Sequence, residues 1–425
     1  MIHSFKDKIK YQLILFLISP ALSLYIALRS KSEKFILFSC IMFFGIAGSL
    51  YVYIPGNDGA THLLNIERFY SDMRLSEFFQ KSWEILQFKS VSGATDIYIH
   101  TLSYLSGSVF EIPELLHVFA GLVLGYFYTK SALLLFRNKP MGRLGVITIA
   151  LMALFLIYRS LTALNSIRMW TAMWVLFFGS YSWFITKKKK YLLVALLSVF
   201  FHFSYAIIIL PLVVGYLLKK RKLIIVGIYI ISFSFSLNFV TIEPYIPALP
   251  LLEQKIKYNL KTDNESAIER EKPKENFYKR WGEKVYGEYS IVGLSFILLL
   301  FYLKANADDK LIFLLTSGMI LYTFSNIIDF SPSLSGRSQT VGSVYILAAA
   351  IYLVFTLSRY SLSRLQKTLF NAGLGSFLIS SIPVVLFQIS YILNTFSVFI
   401  ILMPFASWIL GDIDFTIREA VGMLF

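Results

Sequence analysis

The sequence predicts an all-α fold: a polytopic transmembrane helical bundle that forms one integral membrane domain over residues 1–425. The chain is 56% hydrophobic and its mean hydropathy is +0.66, which is far above the values of soluble domains. Long apolar runs recur from end to end, and they are continuous rather than alternating, which argues against a transmembrane β-barrel. We expect about 12 to 14 membrane segments, some of them short or re-entrant.

The charged residues give the expected orientation of these segments. The chain has 40 Lys and Arg against 25 Asp and Glu, a net charge of +15. Basic loops stay on the cytoplasmic side of membranes, so we interpret this excess as a topology signal and expect no nucleic-acid partner. The single cysteine, Cys40, lies in an apolar run, so we predict neither a disulfide nor a zinc site.

The first half of the chain alternates apolar runs with one polar segment. Residues 54–96 are polar and form the first extracytoplasmic segment; within them residues 61–79 have helical spacing. Residues 97–109 are short enough to be re-entrant. The full spans predicted here are 11–28, 35–53, 115–136, 144–158 and 167–185.

The segment that follows is the most informative in the chain. Basic runs at 187–190 and 219–222 should both be cytoplasmic, so the apolar residues between them must enter the membrane and return. As helices, residues 191–201 and 204–218 would be only about 16 Å and 22 Å long, against a hydrocarbon core of about 30 Å. We therefore predict two short helices that meet at His202, near the outer end of the helix that begins with Arg168. One long tilted helix is the alternative.

The second half contains the one long hydrophilic insertion. Residues 241–288 combine basic and acidic residues in similar numbers, unlike the basic cytoplasmic loops, so we predict a large extracytoplasmic loop that is either a lid or disordered. The tail, 411–425, is amphipathic and is expected on the cytoplasmic surface. The remaining spans are predicted at 223–239, 291–303, 311–328, 341–357, 369–389 and 391–410.

Ionisable residues at or near the predicted outer face form the candidate site. Arginine suits phosphate and carboxylate groups, whereas the clustered carboxylates or closely spaced His and Cys of metal sites are not visible. We therefore expect no metal and no cofactor, and a cavity for an anionic amphiphile such as a lipid-linked diphosphate. Each residue also has an ordinary structural role open to it, such as snorkelling for an arginine. The candidates are Asp58, His62, Glu67, Arg68, Arg159, Arg168, His202, Asp329 and Arg337.

Four local patterns resemble a known family. They are GNDGATHLLNIERFY after the second span, NSIRMWTAMWVLFF, VFFHFSYAIIILP, and GRSQTVG in a late predicted external loop. In order and local pattern they resemble the Wzy-type polysaccharide polymerases, particularly the EpsG-like branch. The likeness covers most of the chain loosely and is specific only over these motifs. His62 departs from the pattern, because it stands near where a tyrosine is more usual.

The resemblance implies a metal-independent, GT-C-like glycosyltransferase of the bacterial cytoplasmic membrane, with its active site on the extracytoplasmic side. Such an enzyme polymerises O-antigen or capsule repeat units in polysaccharide and lipopolysaccharide biosynthesis. It transfers a growing glycan from undecaprenyl diphosphate to a sugar hydroxyl of a lipid-linked repeat unit. The implied partners are these lipid-linked glycans, the bilayer and a chain-length regulator.

Chemistry then suggests a role for each candidate. Arg168 and Arg337, with Arg68 and Arg159 as further substrate-binding residues, would stabilise the departing diphosphate. A histidine titrates near neutral pH, so His202 is the predicted general base, with Asp58 and Glu67 as catalytic alternatives.

Three other functions remain open at this point. A lipid-linked oligosaccharide flippase or other transporter also has many spans and intramembrane charges. An O-antigen ligase would use the same donor with a different acceptor. A purely structural membrane scaffold would leave Arg168 and His202 without a purpose.

Overall fold

The computed structural model describes residues 5–89, 91, 93–137, 144–235, 277, 281–304, 306–410 and 414–423. Over these residues the fold is all-α, with only isolated β-bridges between extended residues. In chain order the helices are α1 (Phe5–Ile18), α2 (Pro20–Leu28), α3 (Glu33–Ser49), α4 (Asp58–Phe69), α5 (Leu75–Leu86), α6 (Ile97–Tyr104), α7 (Leu115–Phe136), α8 (Val146–Ile157), α9 (Ile167–Thr186), α10 (Lys189–Phe201), α11 (Tyr205–Leu218), α12 (Lys222–Ser232), α13 (Ile291–Tyr302), α14 (Asp309–Ile327), α15 (Pro332–Thr356), α16 (Arg364–Thr395), α17 (Pro404–Leu410) and α18 (Ile417–Gly422).

Six helical segments of the described chain are long and apolar enough to cross a membrane, which agrees with a multi-pass membrane protein. Two shorter apolar helices, α11 and α12, accompany them. The predicted number of 12 to 14 segments is larger because it includes such short helices, and their crossing stays a prediction. The six segments are Leu115–Phe136, Val146–Leu164, Val285–Tyr302, Asp309–Ile327, Pro332–Arg359 and Arg364–Thr395.

The predicted break at His202 is confirmed. α10 ends at Phe201 and α11 begins at Tyr205, and between them His202 has an extended backbone with φ −156° and ψ 120°. α10 packs closely on α9 at Gly179, where a side chain would not fit: a Cβ built there would lie 2.4 Å from the backbone nitrogen of Ala195. This contact holds the short helix pair against the helix that carries Arg168.

Several predicted boundaries are wrong, and each has a local physical cause. The span at 11–28 is divided at Ser19, whose hydroxyl caps α2 ahead of Pro20. The break predicted between the spans 369–389 and 391–410 is absent, because α16 continues through residue 390 to Thr395, and the end of the second span forms the separate helix α17. Arg337 lies in a helix and not in a loop, because α15 begins with Pro332 at its first turn.

The polar segment 54–96 contains two amphipathic helices instead of one at 61–79. α4 and α5 are separated by a turn after Phe69. On one side of α5, Phe78 stacks on His100 with ring centroids 4.7 Å apart. On the other side an apolar stripe stays exposed at i, i+4 and i+8: Leu75 at 56%, Phe79 at 62% and Trp83 at 62%.

Most of the predicted loop at 241–288 lies outside the described residues, and so do both ends of the tail at 411–425. The end of the loop forms a π-helix, Trp281–Ser290, that leads directly into α13. The described part of the tail begins α18 with a capping box between Thr416 and Glu419.

Candidate functional site

A cavity of about 150 Å³ lies where α4, α9, the α10–α11 break and α15 come together. Five of the residues selected from the sequence line it: Asp58, His62, Arg168, His202 and Arg337. Ser166, Met169 and Trp170 complete the lining. Residues from four separate parts of the chain therefore converge on one small space, which we call the central cavity.

Arg168 is held in the central cavity by a residue that the sequence analysis did not select. Its Nη1 lies 2.7 Å from Oδ2 of Asp96, and the same Nη1 donates to the Thr95 hydroxyl. The Asp96 side chain is completely buried, and its Oδ1 accepts the backbone N–H of Phe203 at 2.7 Å. Asp96 thus connects the first turn of α9 to the residue that follows His202.

The sequence gives only a weak indication that Asp96 belongs to the site. It is the last polar residue before the apolar helix α6 and ends the polar segment 54–96. A carboxylate next to an apolar run is ordinarily a helix N-cap at the surface, but here the Asp96 side chain makes no capping hydrogen bond. Only tertiary packing shows that it is buried and paired.

Arg337 differs from Arg168 because it has no direct counter-ion. Among the described residues it makes no ion pair and no hydrogen bond, and its side chain is half-buried. The charges of Arg168, Asp96 and Asp58 act on it without direct contact. A half-buried guanidinium in a cavity without an ion-pair partner is a natural place for an anionic ligand.

The hydrogen bonds of His202 assign its tautomer. The ring is 5% exposed, and its Nδ1 lies 3.2 Å from the backbone nitrogen and 2.9 Å from the hydroxyl of Ser204. A backbone N–H only donates, so Nδ1 must accept, and a neutral ring then carries its proton on Nε2. Neutral His202 is therefore a hydrogen-bond donor through Nε2.

His62 is a second buried histidine of the central cavity. It is 8% exposed, and its Nδ1 has no hydrogen-bond partner in the described structure. Burial lowers the pKa of His62 to about 3; the positive charge of Arg168 acts in the same direction and Asp96 opposes it. His62 is therefore neutral at physiological pH.

Asp58 is the most accessible acid of the central cavity. It is the first residue of α4, is exposed, and its Oδ2 accepts the Ser166 hydroxyl at 2.9 Å. Glu67 and Arg68 lie near the other end of α4 and are exposed. Nine residues of helix place Glu67 about 14 Å from Asp58 along the axis and on the opposite side. The structure does not bring these two residues to the described cavities, and their roles stay predictions.

Arg159 lines a larger neighbouring cavity of about 540 Å³, which shares Trp170 and Arg337 with the central cavity. The Arg159 guanidinium lies 4.1 Å from the centroid of the Trp170 ring, a cation–π contact. Its Nε is buried without a hydrogen-bond partner, and its backbone has φ +53°, in the left-handed region. Two arginines without ion-pair partners in the described structure, Arg159 and Arg337, therefore face this space.

Metal-ligating side chains do not cluster in the part of the chain that the structure describes: no group of three or more His, Cys, Asp or Glu there could hold an ion. The metal-independence implied by the family resemblance stays a prediction.

No family model matches the chain, and no match was found among curated proteins or among solved structures. The resemblance to the polysaccharide polymerases therefore depends on the motifs quoted above and stays a hypothesis.

Proposed function

We propose that the protein is a polysaccharide polymerase of the bacterial cytoplasmic membrane, with a GT-C-like helical bundle and an extracytoplasmic site. Its donor would be a glycan on undecaprenyl diphosphate, and its acceptor a hydroxyl of a second lipid-linked repeat unit. O-antigen or capsule repeat units fit this description.

The observation that carries the proposal is Arg337, a half-buried arginine for which the described residues supply no ion-pair partner, in a cavity that also contains Asp58, Arg168 and His202. Asp96 already neutralises Arg168, so among the described residues of the central cavity Arg337 is the cation that we assign to the anion. Two opposite unit charges about 4 Å apart attract by on the order of 4 kcal/mol near a protein surface. A diphosphate bound here would be stabilised most when its leaving-group charge is greatest.

The proposed reaction is a displacement at the anomeric carbon of the donor sugar. The acceptor oxygen forms the new glycosidic bond as the bond between that carbon and the diphosphate oxygen breaks. The diphosphate departs with the bonding electrons, and the proton of the acceptor hydroxyl passes to a base. No oxidant or further co-reactant is needed.

The tautomer of His202 indicates which residue acts as the general base. Nδ1 of neutral His202 already accepts from Ser204 and Nε2 carries the proton, so the ring is not placed to take the proton of the acceptor hydroxyl. Asp58, one of the two predicted alternatives to His202, lines the central cavity whereas Glu67 does not, and is then the better candidate for the base. Arg168 keeps a positioning role through Asp96, and Arg337 contacts the anion.

The test is polymerisation by the purified protein in nanodiscs with a lipid-linked repeat unit and EDTA, with products separated on a gel. We expect a ladder of longer glycans from the wild-type protein and from Arg74→Ala, an exposed arginine outside the described cavities. Arg337→Ala should give no ladder. A folded wild-type protein that yields no ladder, yet moves the same substrate across a liposome bilayer, would replace this proposal with the flippase function.

A further inference from the structure

Two large cavities lie beyond the central cavity: the 540 Å³ cavity adjoins it through Trp170 and Arg337, and the second adjoins the 540 Å³ cavity. The 540 Å³ cavity and a third one of about 520 Å³ have Glu288, Asp329, Ser335 and Gln339 in common. Each volume is in the range of small-molecule sites, and the shared wall makes them neighbours. Together they have room for a ligand larger than the diphosphate that we place beside Arg337.

The shared wall carries side chains that hydrogen-bond to hydroxyl groups. Glu288 and Asp329 supply carboxylate oxygens, which accept hydrogen bonds from hydroxyls, whereas Arg159 and Arg337 line the 540 Å³ cavity outside this shared wall. Gln339, and Gln388 in the 540 Å³ cavity, add carboxamides that both donate and accept. A neutral ligand that is rich in hydroxyl groups matches this set of partners.

Aromatic rings form other parts of the 540 Å³ cavity. Tyr158 and Tyr286 line it with ring centroids 5.7 Å apart, and Trp170 and Phe387 also contribute. Sugar rings carry hydroxyls on their edges and C–H groups on their faces, so they need both kinds of surface. The 540 Å³ cavity offers both, because its polar side chains lie beside these aromatic rings.

The secondary structure arranges the wall. Ser335, Gln339 and Ser343 recur every four residues along α15, so they share one face of that helix and line the 540 Å³ cavity together. Glu288 belongs to the π-helix Trp281–Ser290, a distorted geometry that is frequent at functional sites.

Arg337 connects the two environments because it lines both the central cavity and the 540 Å³ cavity. A ligand in the larger space can therefore approach an anion bound at Arg337. An acceptor sugar needs this placement, since its hydroxyl must reach the carbon that carries the diphosphate.

We infer that the two large cavities bind the sugars of the acceptor glycan, with Glu288, Asp329 and Gln339 as hydrogen-bonding residues. This glycan site deepens the proposed function, and only the identification of the glycan as the acceptor rests on that function. The glycan site itself is tested without any lipid or diphosphate.

The probe is the repeat-unit oligosaccharide, cleaved from its lipid by mild acid, radiolabelled, and measured by equilibrium dialysis against the full-length protein in nanodiscs. The wild-type protein should bind it saturably. Glu288→Gln and Asp329→Asn keep shape but remove charge, and each should weaken the Kd at least about tenfold, because hydrogen bonds to charged groups exceed the 1.4 kcal/mol that tenfold requires. Gln339→Ala is a second kind of variant that removes only an amide.

Asp72→Asn is the matched control, since Asp72 is an exposed acid outside the described cavities, and it should bind like the wild-type protein. Every variant is first checked for wild-type elution on size exclusion. Where a charge variant does not elute normally, the glycan binding of Gln339→Ala decides whether the cavity is the binding site. Absence of wild-type binding, or equal binding by wild type and cavity variants, overturns the inference.

The polymerisation assay on the same proteins separates the two proposals. A wild-type ladder that persists unchanged in the cavity variants leaves the polymerase standing and refutes the acceptor site. Glycan binding that depends on Glu288 and Asp329, without any wild-type ladder, refutes the polymerase and retains a glycan-binding site.

Discussion

Replacing Asp96 tests how the central cavity is held together, because this one carboxylate binds both the Arg168 guanidinium and the backbone N–H of Phe203. Asp96→Ala removes the counter-ion of Arg168 and the acceptor of the Phe203 N–H. Removing one member of a buried ion pair costs about 3–5 kcal/mol, and a buried unsatisfied N–H about 1–3 kcal/mol. Arg168 is 25% exposed and recovers part of its hydration, so the low ends apply. We expect a loss of about 3–4 kcal/mol of unfolding free energy.

The assay is SDS-induced unfolding in mixed micelles, followed by a double-mutant cycle with Arg168→Met. Asp96→Asn separates the ion pair with Arg168 from the hydrogen bond of Phe203, since the amide oxygen still accepts the Phe203 N–H while the charge is gone. If the ion pair acts as described, the Asp96→Ala and Arg168→Met effects are non-additive by more than about 1 kcal/mol. Additive effects within about 0.5 kcal/mol would refute the reasoning, because independent sites behave that way.

Three further predictions follow from the same geometry. Arg337→Ala should lower the polymerisation rate about 100-fold or more, as loss of one transition-state donor does, while Arg74→Ala retains it. The pKa of His62 is lowered to about 3 in the native state, whereas an unperturbed histidine titrates near 6.5. As the pH falls below about 6.5, His62 therefore takes up a proton in the unfolded state but not in the native state. Stability therefore decreases between about pH 6.5 and 3, by up to about 1.4 kcal/mol per pH unit, and His62→Gln should flatten this slope in unfolding measurements. The exposed stripe on α5 should insert into the membrane interface, so brominated lipids should quench Trp83, but not the fully buried Trp174, in single-tryptophan variants.

A specific result would contradict each of these predictions. Equal rates for Arg337→Ala and Arg74→Ala would show that the Arg337 guanidinium binds no reacting anion. An unchanged pH slope in His62→Gln would mean that another group controls the acid sensitivity. Trp83 emission that brominated lipids leave unaltered would place α5 away from the bilayer, with its apolar stripe available to another partner.

The pairing of Arg168 with Asp96 changes how the arginines of this protein are understood. The sequence alone gives Arg68, Arg159, Arg168 and Arg337 as similar cations. The structure separates a paired arginine from two without counter-ions in the described chain, Arg159 and Arg337, and from Arg68 at the exposed end of α4. Charge in a cavity depends on such pairing, so the number of arginines does not measure anion affinity.

The sequence by itself determined the features that depend on local hydropathy and charge. The all-α membrane fold follows from apolar runs that are long and continuous. The break at His202 follows from two basic runs too close for two full spans and too far apart for a loop. Arg168 and His202 were selected because a costly intramembrane charge generally has a purpose, and Asp58 and Arg337 because their predicted external segments lie at the same face of the membrane.

Only the tertiary structure decided which of these charges are paired, which are open and what surrounds them. Asp96 and Arg168 are 72 residues apart in the chain, and the 2.7 Å contact between them arises from the packing of α9 beside the start of α6. The helical position of Arg337 and the shared wall of Glu288, Asp329 and Gln339 likewise come from segments that local periodicity treats separately. Burial and ion pairing are properties of contacts between distant residues, and a hydropathy pattern contains no term for them.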